Sequence, residues 1–285
     1  MAKLVGIWDG LPHDFERPRV SVVIPALNEE RNLPHVAARM PSDIDEIVFV
    51  DGHSIDDTRG VARQLWPQAI HITQSRRGKG NALACGFKAA TGDIIVMIDA
   101  DGSTDPLEIP RYVAALVSGA DFAKGSRFIQ GGGSADITKF RRLGNWGLNA
   151  LVNICFATKY TDLCYGYNAF WRRCLDVMCL PETNCEIPQW GDGFEVETLI
   201  NVRVAASKLS IAEVCSYESS RIHGASNLNA VRDGTRVLRT IHREFVDLRA
   251  NGRADRRYRA LRPSRPSRPS RHLTLSTPEE TDKVS

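Results

Sequence analysis

Two carboxylates one residue apart, Asp99 and Asp101, follow the apolar run Ile94–Ile98. A largely β-branched run of this length is typical of a strand that is buried on both faces of a parallel sheet. Ligands of open α/β sheets bind beyond the carboxyl ends of the strands, which is where these two acids fall. Carboxylate oxygens suit a hard cation such as Mg²⁺, which commonly combines one or two carboxylates with substrate phosphates. The residues alone also allow a second interpretation, in which the acids only cap the helix that begins at Pro106.

Other candidate site residues follow strands in the same way. Glu29 lies shortly after the apolar run Val20–Pro25, and the next apolar run ends at Asp51. A basic, glycine-rich turn, Arg76–Gly80, precedes a predicted helix, where backbone N–H groups with Lys79 beside them can hold an anion. Because the carboxyl ends of parallel strands meet at one edge of a sheet, we expect these groups to face one site.

The elements that must position these residues alternate between strands and helices over the first half of the chain. This alternation indicates an α/β fold with a mostly parallel central sheet and right-handed crossovers. The predicted strands are 20–25, 46–51, 69–73, 94–98 and 120–124, and the predicted helices are 33–40, 56–66, 81–90 and 106–118. In the second half we predict helices over 141–158, 194–206 and 229–249, and strands over 165–171 and 209–216.

Three segments describe the predicted domain organisation. Residues 1–18 are a lead-in, residues 19–249 form one domain with halves at 19–125 and 126–249, and residues 250–285 form a basic tail of disordered composition. In the helix over 141–158 the spacing of apolar residues predicts a buried face, and Trp146 is expected in the core.

Composition points to a soluble globular protein. The 285 residues are 42% hydrophobic, which suffices for a sizeable core, and the net charge is only +3. No segment approaches the roughly 20 apolar residues of a membrane helix, and the start of the chain lacks a basic region before an apolar run, so we expect a cytoplasmic location. The seven cysteines include no CxxC pair, which favours reduced core thiols over disulfides or a zinc site.

The basic tail is the most uneven feature of the charge distribution. The segment from Arg249 to Arg271 holds nine arginines and one acid, which suggests an anionic partner surface. It either holds the protein at the inner face of an anionic membrane, or it is a solvated tail. Nucleic acid binding is disfavoured because the tail has no interleaved aromatic residue beyond Tyr258.

Four motifs occur in a characteristic order along the chain. They are Val23–Glu30 (VIPALNEE), Val50–Thr58 (VDGHSIDDT), Gly78–Leu83 (GKGNAL) and Asp99–Asp101 (DAD). Together they resemble the successive signatures of family 2 glycosyltransferases, which have the GT-A fold, and the resemblance covers roughly residues 19–227. Two further stretches, Gly125–Phe128 and Arg221–Leu228, resemble the branch of dolichyl- and polyprenyl-phosphate sugar synthases.

This resemblance implies a donor site for a nucleoside diphosphate sugar. The residues implied for the nucleoside pocket are Pro25, Ala26, Glu29 and Asp51, with Lys79 near it. The family usually has paired acids after the second strand, and here Gly52 replaces the second, so Asp51 alone is expected to recognise the base or ribose. Asp99, Ala100 and Asp101 would form the DxD motif, with Asp101 the stronger ligand of Mg²⁺ or Mn²⁺ and with Ser103 completing coordination. Such a cation neutralises charge as the diphosphate departs.

The resemblance also implies catalytic residues. Arg127 and Arg221 would add fixed positive charge in the transition state. The family's base usually lies at a helix start in the second half, where Glu195 is the first choice, followed by Glu197 and Asp192; a capping role at the helix start is the alternative. General-base help is worth about 10²- to 10⁴-fold for a hydroxyl acceptor, whereas a phosphate acceptor is already ionised and needs no base.

The implied activity is metal-dependent sugar transfer, with inversion, to a polyprenyl phosphate. One alternative is transfer to a soluble hydroxyl or glycan acceptor, either with inversion or with retention of the anomeric configuration. A second is a non-catalytic protein that binds nucleotide sugars, which the retained pair Asp99 and Asp101 argues against. A nucleotidyltransferase is disfavoured because the sequence has no glycine-rich triphosphate loop.

Overall fold

The computed structural model describes residues 6–8, 17–224 and 230–251. Nearly all of the basic tail, most of the lead-in and the stretch 225–229, which includes part of the Arg221–Leu228 motif, lie outside the described residues. The expectations for the tail and for the end of that motif therefore stay predictions.

A seven-stranded sheet forms the centre of the fold. Its strands in chain order are β1 (Val20–Ala26), β2 (Glu46–Asp51), β3 (Ile70–Thr73), β4 (Ile94–Met97), β5 (Phe122–Ser126), β7 (Asn168–Trp171) and β8 (Ile211–Cys215). Their order across the sheet is β3-β2-β1-β4-β7-β5-β8. Two short strands, β6 (Gly133–Ser134) and β9 (Tyr217–Glu218), pair in parallel as a separate ribbon. Neighbours pair in parallel except at β7, so the sheet is mostly parallel, as predicted.

Helices cover both faces of this sheet. In chain order they are α1 (Leu33–Ala38), α2 (Thr58–Leu65), α3 (Lys79–Ala89), α4 (Ile109–Val117), α5 (Lys139–Phe156), α6 (Leu175–Met178), α7 (Val196–Ala206) and α8 (Ala230–Asn251). Helices α1, α2 and α4 pack on one face and α3, α6 and α7 on the other, which gives two apolar cores. A third core joins α5 and α8 to α7. Among the described residues no helix is long and apolar enough to cross a membrane.

Strand β7 runs antiparallel to both of its neighbours, β4 and β5. The predicted strand over 165–171 is present but shorter, and its direction was not part of the prediction. The reason lies in the path of the chain: Asn168, at the start of β7, pairs with Met97, at the carboxyl end of β4. The chain thus enters β7 at the edge of the sheet where the parallel strands end, so β7 runs in the direction opposite to β4 and β5.

The buried face of α5 differs from the expectation. The helix buries Asn145, Asn149, Val152 and Phe156, whereas Trp146 is 69% exposed. The expectation of a core position for Trp146 was therefore wrong, because the spacing of apolar residues shows that a helix has two faces without showing which one is covered. All seven cysteines are free thiols, and the expected core position fits the buried Cys174 but not the exposed Cys179.

Candidate active site

A cavity of about 1230 Å³ opens at the edge of the sheet where β1, β2 and β4 end. Its polar part is lined by residues from the four motifs, among them Pro25, Ala26, Glu29, Gly78, Lys79, Asp99, Ala100 and Asp101. Its apolar part lies between α5 and α8 and is lined by Ile137, Phe140, Leu143, Leu148, Val237 and Leu238. One cavity therefore joins the motif residues to an apolar groove.

Lys79 lies between two carboxylates in the middle of the cavity. Its Nζ is 2.6 Å from Asp99 Oδ1 and 2.6 Å from Glu197 Oε1. Burial lowers the pKa of Lys79, but the charges of Asp99 and Glu197 raise the pKa more, so it lies well above its usual value. Burial raises the pKa of Glu197, and Lys79 opposes that change. The ammonium is therefore permanently charged and neutralises part of this acidic site.

The position of Lys79 at the start of α3 depends on a glycine. Gly78 has φ +121°, and a Cβ there would lie 2.1 Å from the backbone oxygen of Asp192. The same oxygen accepts a hydrogen bond from the N–H of Gly80 at 2.8 Å. The basic turn therefore packs directly on the loop before α7, and only glycine permits so close an approach.

Arg221 makes the corresponding contacts on the other side of the cavity. Its Nη1 is 2.9 Å from Glu29 Oε1, and its Nη2 is 3.2 Å from Asp101 Oδ2. Burial raises the pKa of Glu29, although Asn32 and Arg221 counteract it. One guanidinium thus joins the first and fourth motifs, and each carboxylate of the DxD pair has its own cationic partner.

The nucleoside end of the cavity differs in part from the expectation. Asp51 is buried, and its carboxylate accepts hydrogen bonds from the N–H groups of His53 (3.1 Å) and Ser54 (3.2 Å). The side chain thus shapes the turn after β2 and does not line the cavity. Gln74, which the sequence analysis did not name, and Arg77 of the predicted anion-binding turn do line the cavity. The place of Gln74 after β3, at the same sheet edge, is the signal that would have found it.

Two of the three base candidates, Glu195 and Asp192, do not line the cavity. Glu195 is buried, and its Oε1 accepts hydrogen bonds from the N–H groups of Gly191 (3.1 Å) and Gly193 (3.2 Å). Asp192 holds the guanidinium of Arg76 with two contacts of 2.8 Å. Both side chains order the loop before α7, whereas Glu197, the second choice, lines the cavity.

Arg127 lines the cavity, but its charge is already compensated. It contacts Asp162 at 2.7 and 2.9 Å and Glu218 at 2.9 Å. Burial alone would lower the pKa of Arg127, but the hydrogen bonds and charge of Asp162 raise it by more, so the pKa lies above its usual value. The implied role of Arg127 in stabilising a transition state stays a prediction, and what the contacts show is a buried structural ion pair.

The donor set suits a hard divalent cation shared with a substrate. Asp99 and Asp101 are half-buried, and each contacts one cationic side chain. Within the described part of the chain no group of three or more His, Cys, Asp or Glu residues is arranged to hold a metal ion alone. Two carboxylates that need phosphate oxygens to complete the ligand set match the preference of Mg²⁺. Ser103 donates its backbone N–H to Asp101 Oδ1 at 2.9 Å and so orients this carboxylate.

Comparisons with known proteins agree with the motifs. The model for Glycosyl transferase family 2 matches residues 21–178. Uncharacterized glycosyltransferase Rv0539 of Mycobacterium tuberculosis is 44% identical over 108 residues, which are 38% of this chain and 48% of that protein. The match thus spans about half the length of that relative. Undecaprenyl-phosphate mannosyltransferase of Micrococcus luteus is 30% identical over 229 residues, which are 77% of this chain and 91% of that protein.

Solved structures of glucosyl-3-phosphoglycerate synthase from Mycobacterium tuberculosis share the fold. One, in complex with Mn²⁺, UDP and glucosyl-3-phosphoglycerate, matches with a TM-score of 0.60 at 24% identity and covers 80% of each chain. Another, in complex with Mn²⁺, UDP-glucose and phosphoglyceric acid, matches with a TM-score of 0.57 at 25% identity and also covers 80% of each chain. These similarities confirm the predicted GT-A fold. The family match extends over more than half of the chain and includes the four motifs that meet in one cavity, so this chain belongs to glycosyl transferase family 2.

Proposed function

We propose that this chain transfers a sugar from a nucleoside diphosphate sugar to a polyprenyl phosphate, with a divalent cation and with inversion at the anomeric carbon. The observation that carries the proposal is the continuity of one cavity from Asp99 and Asp101 to the apolar groove between α5 and α8. A diphosphate suits the charged part of that cavity, and a prenyl chain suits the apolar part. The name of the Micrococcus luteus relative, an undecaprenyl-phosphate mannosyltransferase, supports this acceptor class.

The donor half of the proposal rests on the charged groups. Asp99 and Asp101 would hold Mg²⁺ or Mn²⁺, which when bound supplies positive charge to the leaving diphosphate. Lys79 and Arg221, already in contact with these carboxylates, add fixed cations beside the same diphosphate. The similar synthase structure that contains Mn²⁺ and UDP-glucose supports this use of the site.

A phosphate acceptor is also consistent with structural roles for Glu195 and Glu197, the two glutamates considered as general bases. Its attacking oxygen is ionised at neutral pH, so no side chain has to remove a proton. Glu197 then serves to hold Lys79 at 2.6 Å, and Glu195 serves to order the loop before α7. Neither residue is assigned as a base in this proposal.

One observation favours a second candidate, transfer to a small soluble acceptor. The similar synthase structures contain phosphoglyceric acid or glucosyl-3-phosphoglycerate, which are soluble. A small soluble acceptor would make no use of the apolar groove between α5 and α8, whereas a prenyl chain fits it. We therefore prefer the prenyl acceptor.

The test is an assay of the full chain with UDP- and GDP-sugars, Mg²⁺ or Mn²⁺, and either a polyprenyl phosphate or phosphoglyceric acid. We expect a lipid-linked sugar with one donor class, and NMR of its anomeric proton reports inversion or retention. Asp101→Asn should lower the rate about 10²-fold or more, whereas the exposed Asp176→Asn serves as the matched control. No lipid-linked product with any donor, or transfer only to phosphoglyceric acid, contradicts the acceptor assignment.

A further inference from the structure

Helix α5 buries two asparagine side chains and leaves several large apolar side chains exposed to solvent. Its buried face includes Asn145, which donates to Asp162 at 3.2 Å, and Asn149, which accepts from the N–H of Leu163 at 2.8 Å. These amides fix the helix to the segment that leads into β7. Val152 and Phe156 are buried on the same face, whereas Phe140, Leu143, Trp146 and Ile154 lie outside it and are exposed.

The exposed apolar side chains form one strip on the helix, which we call the α5 strip and define as Phe140, Leu143, Trp146, Leu151 and Ile154. Phe140 is 68% exposed, Leu143 67%, Trp146 69% and Ile154 82%. Phe140, Leu143 and Trp146 are three residues apart, as are Leu151 and Ile154, so neighbouring members of the α5 strip lie on successive turns of the helix. Contiguous exposed apolar surface of this kind marks an interaction surface rather than scattered surface residues.

The charged side chains within α5 are all basic, and exposed Asp136, which pairs with Arg141, lies just before the helix. Residues 143–158 contain no charged side chain, and no Asp or Glu occurs between Ile137 and Tyr160. Exposed Lys139 and Arg142 lie at the beginning of the helix, and exposed Lys159 lies just beyond its end. An apolar helix face with an exposed tryptophan and basic residues at both ends matches a helix that lies in the plane of an anionic lipid surface.

We propose that the α5 strip docks this protein on an anionic lipid bilayer, with α5 lying in the plane of the interface. Phe140 and Leu143 belong both to the α5 strip and to the lining of the apolar groove. Docking by this face therefore opens the groove toward the bilayer. Given the proposed function, on which this step rests, a prenyl phosphate enters the groove without crossing water.

The helix that forms the other wall of the groove supports the same orientation. On α8, Leu238 is exposed and lines the groove, and the adjacent Arg239 is exposed as well. Three glycines, Gly144, Gly147 and Gly234, line the same cavity, and a Cβ at any of them would have no atom within 4 Å. The space beside these positions is therefore open.

The test is flotation of the full chain with vesicles of phosphatidylcholine alone or with added phosphatidylglycerol. The informative variant is Trp146→Gln/Ile154→Gln, because neither residue lines the cavity. The matched control is Ile187→Gln, which changes a single apolar residue that is 72% exposed outside α5. We expect binding to the anionic vesicles to weaken on the order of tenfold or more in the double variant and to stay unchanged in the control.

A second measurement locates the contact. Brominated lipid in the vesicles should quench the fluorescence of the wild-type protein, and Trp146→Phe should remove most of the quenching while binding persists. Wild-type protein that does not bind anionic vesicles, or a double variant that binds equally well, overturns the proposal. A wild-type dimer that the double variant dissociates, without vesicle binding, also overturns it, because a second copy then covers the α5 strip.

Failure of this proposal is distinguishable from failure of the proposed function. Vesicle binding through the α5 strip without sugar transfer to prenyl phosphate contradicts the acceptor and leaves docking in place. If the protein transfers sugar to prenyl phosphate in detergent but does not bind vesicles, the proposed docking is contradicted and the proposed acceptor stands. UDP or GDP binding by the double variant, followed by thermal shift, reports that its donor site is folded.

Discussion

The ammonium of Lys79 lies 2.6 Å from a carboxylate oxygen of Asp99, the first acid of the DxD motif. Asp101, the second acid, has Arg221 at 3.2 Å. Each carboxylate expected to hold a divalent cation therefore already contacts a cationic side chain of the protein. A divalent cation that binds without a diphosphate has to compete with Lys79 and Arg221 for the two carboxylates. A bound diphosphate offers Lys79 and Arg221 new anionic partners and so reduces this competition.

This competition makes a prediction for Lys79→Met. Removal of the ammonium should raise the affinity for Mn²⁺ in the absence of nucleotide by about tenfold, or roughly 1.4 kcal/mol, because Asp99 loses its competing partner. Sugar transfer should fall, since the diphosphate loses a fixed cation. Mn²⁺ titration followed by electron paramagnetic resonance measures the affinity, and Lys88→Met, which changes a lysine outside the cavity, is the control. Unchanged or weaker Mn²⁺ binding by Lys79→Met would contradict the competition.

A second prediction concerns the buried pair of Arg127 and Asp162. Asp162→Asn should lower the free energy of unfolding by about 3 kcal/mol, because the buried guanidinium loses its fully buried charged partner and keeps only Glu218. The exposed pair of Asp136 and Arg141 offers a control, since Asp136→Asn should cost at most about 1 kcal/mol. Urea denaturation at neutral pH measures both. Equal effects of the two substitutions would show that the buried pair contributes no more than a surface pair.

The same pair gives a direction for the pH dependence of stability. Burial raises the pKa of Asp162, but the hydrogen bonds and charge of Arg127 lower it more, so the folded-state pKa lies below its usual value. The stabilisation is therefore present above the unfolded-state pKa of about 4 and is lost as pH falls through the lower folded-state value. Denaturation curves from neutral to acidic pH should show this acid-side loss in the wild type. The loss should be smaller in Asp162→Asn, and equal acid-side losses would contradict the assignment.

The two glutamates before and in α7 should respond differently to substitution. Glu195→Gln should leave kcat within about threefold and lower stability by roughly 1 kcal/mol, because its Oε1 binds two backbone N–H groups of its own loop. Glu197→Gln should lower kcat less than about tenfold with a phosphate acceptor, since no proton has to be removed. Steady-state kinetics with prenyl phosphate measures both. A loss of about 10²- to 10⁴-fold in either variant would indicate a general base and a hydroxyl acceptor.

Cysteine reactivity offers a test that is independent of the substrate. Burial raises the pKa of the Cys164 thiol, which lines the cavity, to about 12. Its thiolate fraction at pH 8 is then on the order of 10⁻⁴, so alkylation should be slow. The exposed Cys179 is the internal control within the same protein. Peptide mass spectrometry after iodoacetamide treatment reports both sites, and equal alkylation rates would contradict the assignment for Cys164.

Sequence alone determined the central sheet and the place of the donor motifs. Alternating strands and helices fix a mostly parallel sheet, and the carboxyl ends of such strands meet at one edge. Glu29, Asp99 and Asp101 could therefore be placed together without coordinates, as could Lys79 at the start of α3. The family resemblance came from the same residues, because the motifs are local in the chain.

Only the tertiary structure decided which residues far apart in the chain are in contact, and which of two neighbouring carboxylates lines the cavity. The contact of Arg221 with Glu29 and Asp101 joins residues far apart in the chain, and local pattern carries no information about such pairs. Glu195 and Glu197 are two residues apart at a helix start, so packing alone determines which carboxylate faces the cavity. The spacing in α5 shows two helix faces, but whether the apolar face is covered depends on which elements pack against it. In α5 the face with Asn145, Asn149, Val152 and Phe156 is covered, and the face with Phe140, Leu143 and Ile154 is exposed.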